Sequence, residues 1–160
     1  MAIDYFLKID GIKGESADAK HKDEIDIESF SWGMSEAAVH QTGGGSGAGK
    51  VSMSDFNFMM QFNVASPALM KSCATGQHIK LATLTCRKAG KDQQEFLTIK
   101  FSDVLVSSYQ TSGSGGDDRP TDSVSLNFAK IEVEYKQQAK DGTLGPGGKF
   151  GFDIKSNKAF

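Results

Sequence analysis

The feature that most constrains the fold is a long stretch of alternating residues, SVSLNFAKIEVEYKQQ, from Ser123 to Gln138. Apolar residues occupy the even positions up to Phe128 and the odd positions from Ile131 onward, with polar residues between most of them. Because successive side chains of a β-strand point to opposite faces, this pattern predicts a strand with one buried face. The apolar phase shifts by one residue around Ala129 and Lys130, which predicts a bulge. A long bulged strand is typical of a corner between two sheets or of a barrel wall.

Similar alternation elsewhere predicts further strands. They run from Ile3 to Ile9, from about Glu24 to Met34, from Val51 to Phe62, from Ile79 to Lys88, from Glu95 to Val106 and from Phe150 to Ile154. Phase shifts near Glu28 and Asp55 predict a bulge or bend in the second and third of these strands. Residues 89–92 predict a hairpin turn, and the Gly-Pro-Gly-Gly sequence at 145–148 predicts another turn before the last strand.

One short helix is expected after Ser66. Ser66 is predicted to be its N-cap, Pro67 its first helical residue and Gly76 its left-handed C-terminal cap. The predicted fold class is therefore mainly β: a two-sheet antiparallel β-barrel or sandwich with one short flanking α-helix. The length of 160 residues predicts a single domain over 1–160.

Composition and charge narrow the function classes. The formal net charge of -2 argues against a surface for nucleic acid. The first residues, MAIDYF, lack the basic and apolar regions of a signal peptide and cannot span a membrane, so neither Sec-type export nor membrane insertion is expected. Two cysteines are too few for a disulfide framework and suit a reducing cytoplasm.

Two glycine-rich segments, residues 41–50 and 111–120, are predicted to be long loops. The first fits the G-x-x-x-x-G-K part of a phosphate-binding loop from Gly44 to Lys50. Such a loop needs a Ser or Thr next and a helix after it, but Val51 follows and begins a predicted strand. Nucleotide binding is therefore not expected.

No catalytic or metal-binding constellation stands out, and no cofactor is expected. The candidate metal ligands lack the short spacings of a structural zinc site; they are His21, His40, His78, Cys73 and Cys86. Asp117 and Asp118 follow Gly115 and Gly116, but the spaced oxygen ligands of a calcium loop are missing. Two classes of function remain from the residues alone: a structural protein that assembles through sheet edges and loops, or a monomeric ligand-binding β-barrel.

Several segments, in order along nearly the whole chain, form a specific combination: FLKIDGIKGES at 6–16, SFSWGM at 29–34, the loop at 43–50, CRKAG at 86–90, VLVSS at 104–108, the loop at 113–119 and SLNFA at 125–129. Together they resemble the haemolysin-coregulated protein (Hcp) family of bacterial type VI secretion.

The resemblance implies a two-sheet barrel without intrinsic catalysis that assembles as a homo-hexameric ring. In this family, rings stack into the inner tube that a contractile sheath and baseplate propel from the cell. The implied partners are further rings, a VgrG-type spike protein and small effector proteins held in the lumen. The implied location is the cytoplasm before firing and the exterior afterwards, without a signal peptide.

Candidate site residues follow from the predicted second strand. Phe30, Trp32 and Met34 are expected to point into the core. Their alternating neighbours then point outward, either into the lumen to meet effectors or, as an open alternative, to solvent or a neighbouring subunit. These lumen candidates are Ser29, Ser31 and Gly33. We expect this outward face to carry no large apolar side chain.

The glycine-rich loops are the candidates for ring stacking or subunit contact. The residues concerned are Gly43, Gly44, Gly45, Gly47, Gly49 and Lys50 in the first loop, and Gly115, Gly116, Asp117 and Asp118 in the second.

Overall fold

The computed structural model describes residues 2–36, 50–89 and 93–160. The elements in these segments, in chain order, are β1 (Ile3–Ile9), β2 (Ile25–Asp26), β3 (Ser29–Ser31), β4 (Met34–Glu36), β5 (Val51–Met53), β6 (Phe56–Gln61), α1 (Ala65–Thr75), β7 (Ile79–Lys88), β8 (Glu95–Ser112), β9 (Thr121–Gln138), β10 (Leu144–Asp153) and β11 (Lys158–Ala159). All pairs among these described strands are antiparallel. The predicted mainly β fold with one short helix is confirmed.

The long strand β9 belongs to two layers, as predicted for a strand at a corner. Its first half, residues 121–126, pairs with β6, and its second half, residues 130–138, pairs with β10. The first layer has the order β3, β6, β9 and β8, and the second has the order β11, β10, β9, β8, β7, β1 and β2. The described strands form a sandwich rather than a closed barrel.

The predicted bulge in β9 is wrong, although the bend is real. Pairing with β8 passes from Phe128 opposite Val104 to Lys130 opposite Ser102 without a register shift. Asp103, the residue of β8 between Val104 and Ser102, has a φ of 54°, so the backbone irregularity at this point lies in β8 and β9 has no extra residue. The extra residue is instead Ser107 in β8, between Val106 and Ser108.

The second and third predicted strands are interrupted at their predicted phase shifts. β2 pairs with β1, whereas β3 pairs with β6, so residues 27–28 carry the chain from one layer to the other. Likewise β5 pairs with β4 in a separate two-stranded ribbon, and β6 joins the first layer. Continuous strands were the wrong expectation, because each phase shift marks a change of partner.

The predicted turn at residues 145–148 is also wrong. These residues lie within β10 and form an irregularity between Gly145 and Gly148, while the turn lies at 139–142 and contains Gly142 with a φ of 89°. A Cβ atom on Gly147 would overlap the carbonyl oxygen of Tyr135. Glycine is thus needed there for close approach of two strands.

An aromatic core fills the space between the layers. Phe56 and Phe101 lie 4.7 Å apart between ring centroids, and Phe101 and Phe128 lie 4.8 Å apart. All three rings are buried, and so are Phe58 of β6 and Leu69 of α1. The apolar phases read from the sequence therefore point into one shared core.

The helix begins one residue earlier than its predicted N-cap. Asn63 Oδ1 accepts the backbone N–H of Ala65 at 2.8 Å, and Glu15 accepts that of Val64 at 2.9 Å. Ser66 is inside the first turn, so its predicted N-cap role is wrong, and Pro67 is the third helical residue rather than the first. The C-terminal cap is confirmed, since Gly76 has a φ of 64°.

Residues 13–24 cross the outer side of β1 and β7 and are held there by charged groups. Arg87 is 2% exposed and donates two hydrogen bonds to Asp18, at 2.7 and 3.0 Å. These bonds lower the pKa of Asp18 to about 2. Beside them the His21 ring stacks on Phe6 at 4.3 Å. The segment is therefore fixed to the second layer by buried polar contacts.

Candidate functional site

The outward side of the first layer is a continuous polar sheet face. Two cross-strand rows define it: Ser31, Asn57, Ser125 and Ser108, and Ser29, Met59, Ser123 and Gln110. Residues directly opposite each other in antiparallel strands share a face, so these eight side chains lie together. We call this surface, extended by Gln61 and Asn127 of the same alternation, the polar face.

The predicted orientation of β3 holds for its central residue. Ser29 and Ser31 are exposed, and Phe30 packs edge-on against Tyr5 at 5.4 Å. Trp32 also packs against the core, but Met34 is 45% exposed, so its predicted burial is wrong. The reason is that Met34 already belongs to the separate β4–β5 ribbon, in which its partner Met53 is the residue that packs against the core.

Gly33 lies between β3 and β4, outside the rows of the polar face. Its N–H donates to the Ser54 hydroxyl at 2.9 Å, and its carbonyl accepts the Ser54 N–H at 2.9 Å. The structure therefore brings Ser29 and Ser31 together with other polar residues and places Gly33 at the base of the ribbon. A lumenal role for these three residues stays a prediction.

Three of the longer polar side chains of the polar face, Asn57, Gln61 and Asn127, are hydrogen-bonded to neighbouring groups. The Ser125 hydroxyl donates to Asn57 Oδ1, and Asn127 donates to Asp55 at 3.0 Å. At the other end Arg119 donates to Gln61 Oε1 at 2.7 Å. The face is thus preorganised and uncharged along its middle, with one carboxylate and one guanidinium at its ends.

Met59 is a residue of this face that sequence reasoning missed. Its side chain is 42% exposed, between Ser29 on β3 and Ser123 on β9. The expectation that the face carries no large apolar side chain is therefore wrong. The signal was present in the alternation of β6, where the buried Phe58 and Met60 place Met59 on the opposite side.

The two candidate loops are described to different extents. The glycines of the first loop lie outside the described residues; they are Gly43, Gly44, Gly45, Gly47 and Gly49. Lys50 is described, is exposed and immediately precedes β5. Gly115, Gly116, Asp117 and Asp118 form the exposed tip of the β8–β9 hairpin, where the Asp117 N–H donates to the Ser114 carbonyl at 3.0 Å. The hairpin tip is shorter than predicted, because β8 continues to Ser112.

Two of the candidate metal ligands, Cys86 and His78, have structural environments. Burial raises the pKa of the Cys86 thiol to about 12, which disfavours the reactive thiolate. His78 pairs with Asp103 at 2.8 Å on the surface. Across segments 2–36, 50–89 and 93–160, no three potential ligands cluster for a metal ion. None of the helical structure in those segments is long and apolar enough to cross a membrane.

Comparison with known proteins identifies the family. The model of the family described as "Type VI secretion system effector, Hcp" matches residues 6–135. The chain belongs to the Hcp family. The resemblance noted in the sequence is thereby confirmed, and the protein is a member of a type VI secretion family.

Individual relatives agree with this assignment over nearly their full lengths. "Protein hcp1" of Pseudomonas aeruginosa is 47% identical over 159 residues, which cover 98% of each chain. The crystal structure of Hcp1 from Salmonella typhimurium has 37% identity and a TM-score of 0.80, with complete coverage of both chains. A structure described as a type six secretion system protein reaches a TM-score of 0.92 at 33% identity, covering 99% of this chain and 100% of its own.

Proposed function

We propose that this Hcp chain is a structural subunit, not an enzyme, which assembles into hexameric rings that stack into the inner tube of a type VI secretion machine. The observation that carries the proposal is the polar face on a layer with two open edges. In the described residues β3 pairs only with β6, and residues 106–112 of β8 pair only with β9. Joining such edges between subunits satisfies exposed backbone groups and closes a ring.

In this ring the polar face would line the central hole. Six copies of a hydroxyl- and amide-bearing face make a wet lumen, uncharged along its middle, that holds effector proteins weakly and releases them after delivery. The competing function, a ligand-binding barrel, needs a cavity between the layers. That space is filled by the buried rings of Phe56, Phe58 and Phe101, which weighs against it.

The loops would then make the contacts between rings. The β4–β5 ribbon pairs separately from the main sheet and leads into residues 37–49, and Lys50, at the end of the ribbon away from Gly33, is exposed. A segment that leaves the sandwich in this way suits contact with a neighbouring ring. The hairpin tip with Asp117 and Asp118 is a second exposed contact element. We extend the proposal to the remaining partners of the family, which are a VgrG-type spike, the sheath and the baseplate. We also propose that the chain resides in the cytoplasm before firing and leaves the cell through the machine.

Light scattering on the purified chain tests the ring, and Ser31→Arg tests its lumen. We expect a mass of six chains for the wild type at micromolar concentration, whereas a single-chain mass would contradict the ring. Ser31→Arg should keep the hexamer but reduce effector co-purification and effector protection in the producing cell, because an arginine obstructs the polar face. Ser156→Arg, in an exposed turn after β10, is the matched control and should change neither.

The Ser31→Arg result also separates the alternatives for this residue. Loss of the hexamer would place Ser31 in a subunit interface. An unchanged hexamer with unchanged effector binding would place it in bulk solvent. Either result would contradict the proposal that Ser31 of β3 lines the lumen.

Deletion of residues 43–49 tests the role of the first loop. The variant should still form hexamers, because the described strands of both layers lie outside residues 43–49, but its rings should no longer stack. Electron microscopy of concentrated rings measures stacking directly. Tubes of normal length from the deletion variant would rule out this role.

A further inference from the structure

We propose that Met59 is the residue through which the polar face selects its cargo, and that the cargo is a folded protein presenting an exposed aliphatic or aromatic side chain within an uncharged patch. This inference rests on the proposed function, namely that the polar face lines a lumen holding secreted proteins.

The first step is the position of Met59. Its neighbours Phe58 and Met60 are 1% and 0% exposed, whereas Met59 itself is 42% exposed. Its backbone is fixed by pairing with Ser29 and Ser123, and its carbonyl accepts the Glu28 N–H at 2.8 Å. A fixed backbone with an unbranched, polarisable side chain presents an apolar contact that adapts to different partners.

The second step is that the longer polar side chains nearest the middle of the face are already engaged, whereas Gln110 lies on the edge strand β8 and carries an amide that needs a new partner if cargo covers it. Asn57 accepts from Ser125, Gln61 accepts from Arg119, and Asn127 donates to Asp55. A cargo protein that used these groups would have to break existing hydrogen bonds and replace them. The serine hydroxyls are close to the backbone and reach only a short distance. Met59 is therefore the long side chain of the middle of the face that contributes contact area without such a loss.

The third step concerns charge. Asp55, at one end of the face, accepts hydrogen bonds from Ser107 at 2.6 Å and Asn127 at 3.0 Å, and Arg119 at the other end is bonded to Gln61. Between these ends the two cross-strand rows contain no charged residue. A charged cargo patch would lose water there without gaining a counter-charge. The complementary patch is therefore uncharged, and a ring repeats the same thioether contact around its hole.

The test compares Met59→Gln, which keeps the length but adds a polar amide, with Met59→Leu, which keeps the apolar character. Met70→Gln is the control, because Met70 is 36% exposed on α1. In the bacterium that encodes the chain, mass spectrometry of the medium would quantify this subunit and all other proteins that leave with it. Met59→Gln should leave the amount of the subunit unchanged and lower at least one accompanying protein fivefold or more. Met59→Leu and Met70→Gln should stay within twofold of wild type.

The accompanying protein that falls most is then purified and titrated against wild-type and variant rings. We expect its Kd to rise at least tenfold with Met59→Gln and less than threefold with Met59→Leu. If Ser31→Arg lowers cargo secretion while Met59→Gln does not, the inference on Met59 is overturned and the proposed function stands. If Met59→Gln disrupts the hexamer, Met59 is an interface residue and the inference is likewise overturned. A monomeric wild type would instead remove the proposed function itself.

Discussion

At the scale of single residues, Ser66 fits the sequence pattern of a helix N-cap but has a different role in the structure. Its hydroxyl donates to Asp122 Oδ2 at 2.6 Å, and the Tyr109 hydroxyl donates to the same oxygen at 2.7 Å. Asp122 is fully buried, and burial together with this carboxylate raises the pKa of Tyr109 to about 12. Ser66 thus anchors α1 to β9 instead of capping the helix. The N-cap rule considers only neighbouring residues, so it cannot predict a hydrogen bond to a residue 56 positions away.

The contact between Arg87 and Asp18 gives a prediction at the same scale. Arg87 holds the pKa of Asp18 at about 2, below its ordinary value of 3.8, so this contact stabilises the fold above pH 4 and is lost as pH falls toward 2. Asp18→Asn should lower the urea midpoint at pH 7, because Arg87 remains buried with less counter-charge. The difference in midpoint between pH 7 and pH 3 should become smaller than in the wild type.

Asp117→Asn is the control for this experiment, since Asp117 is exposed at the hairpin tip. Both variants are measured at one chain concentration, because assembly shifts apparent stability. A pH dependence in Asp18→Asn as steep as that of the wild type would show that the Arg87–Asp18 contact is not its source.

At the scale of elements, the glycines of β10 differ in what they do. Gly147 approaches the Tyr135 carbonyl so closely that a methyl group would force the two strands apart, whereas a Cβ on Gly148 has no neighbour within 4 Å. Gly147→Ala should therefore destabilise the chain by about 1–3 kcal/mol, the usual cost of overpacking. Gly148→Ala, one position further along the same strand, should change stability by less than about 0.5 kcal/mol. Urea unfolding of the two variants measures the contrast, and equal midpoints would contradict the close approach.

Element by element, the sequence predicted what local alternation controls. β1 and β7 match their predicted bounds, and α1 ends at its predicted glycine cap. The predictions failed where an element changes partner, as between β2 and β3 or between β5 and β6, because pairing is decided by residues far apart in the chain. β10 was predicted too short, since glycine and proline within an edge strand resemble a turn.

At the scale of the whole molecule, the two-layer arrangement could be predicted from the sequence. The residues that make up the polar face could be predicted only in part. The phase shift in β9 indicated a corner, and the structure has β9 crossing between layers at that point. Ser29 and Ser31 were correctly placed opposite Phe30. Asn57, Ser125 and Met59 were not associated with them, because the cross-strand register that joins β3, β6 and β9 is not encoded in any one strand.

The sharing of β8 and β9 between both layers has a consequence for protein engineering. No boundary along residues 95–138 separates one layer from the other, so a chimera that joins two relatives inside this range would mismatch both layers at once. Crossover points that leave the layers intact lie in the connections outside it, such as residues 139–142. Within it, only the exposed hairpin tip at residues 113–119 can be exchanged without replacing a strand. Recombination of Hcp chains should therefore treat β8 and β9 as one inherited unit.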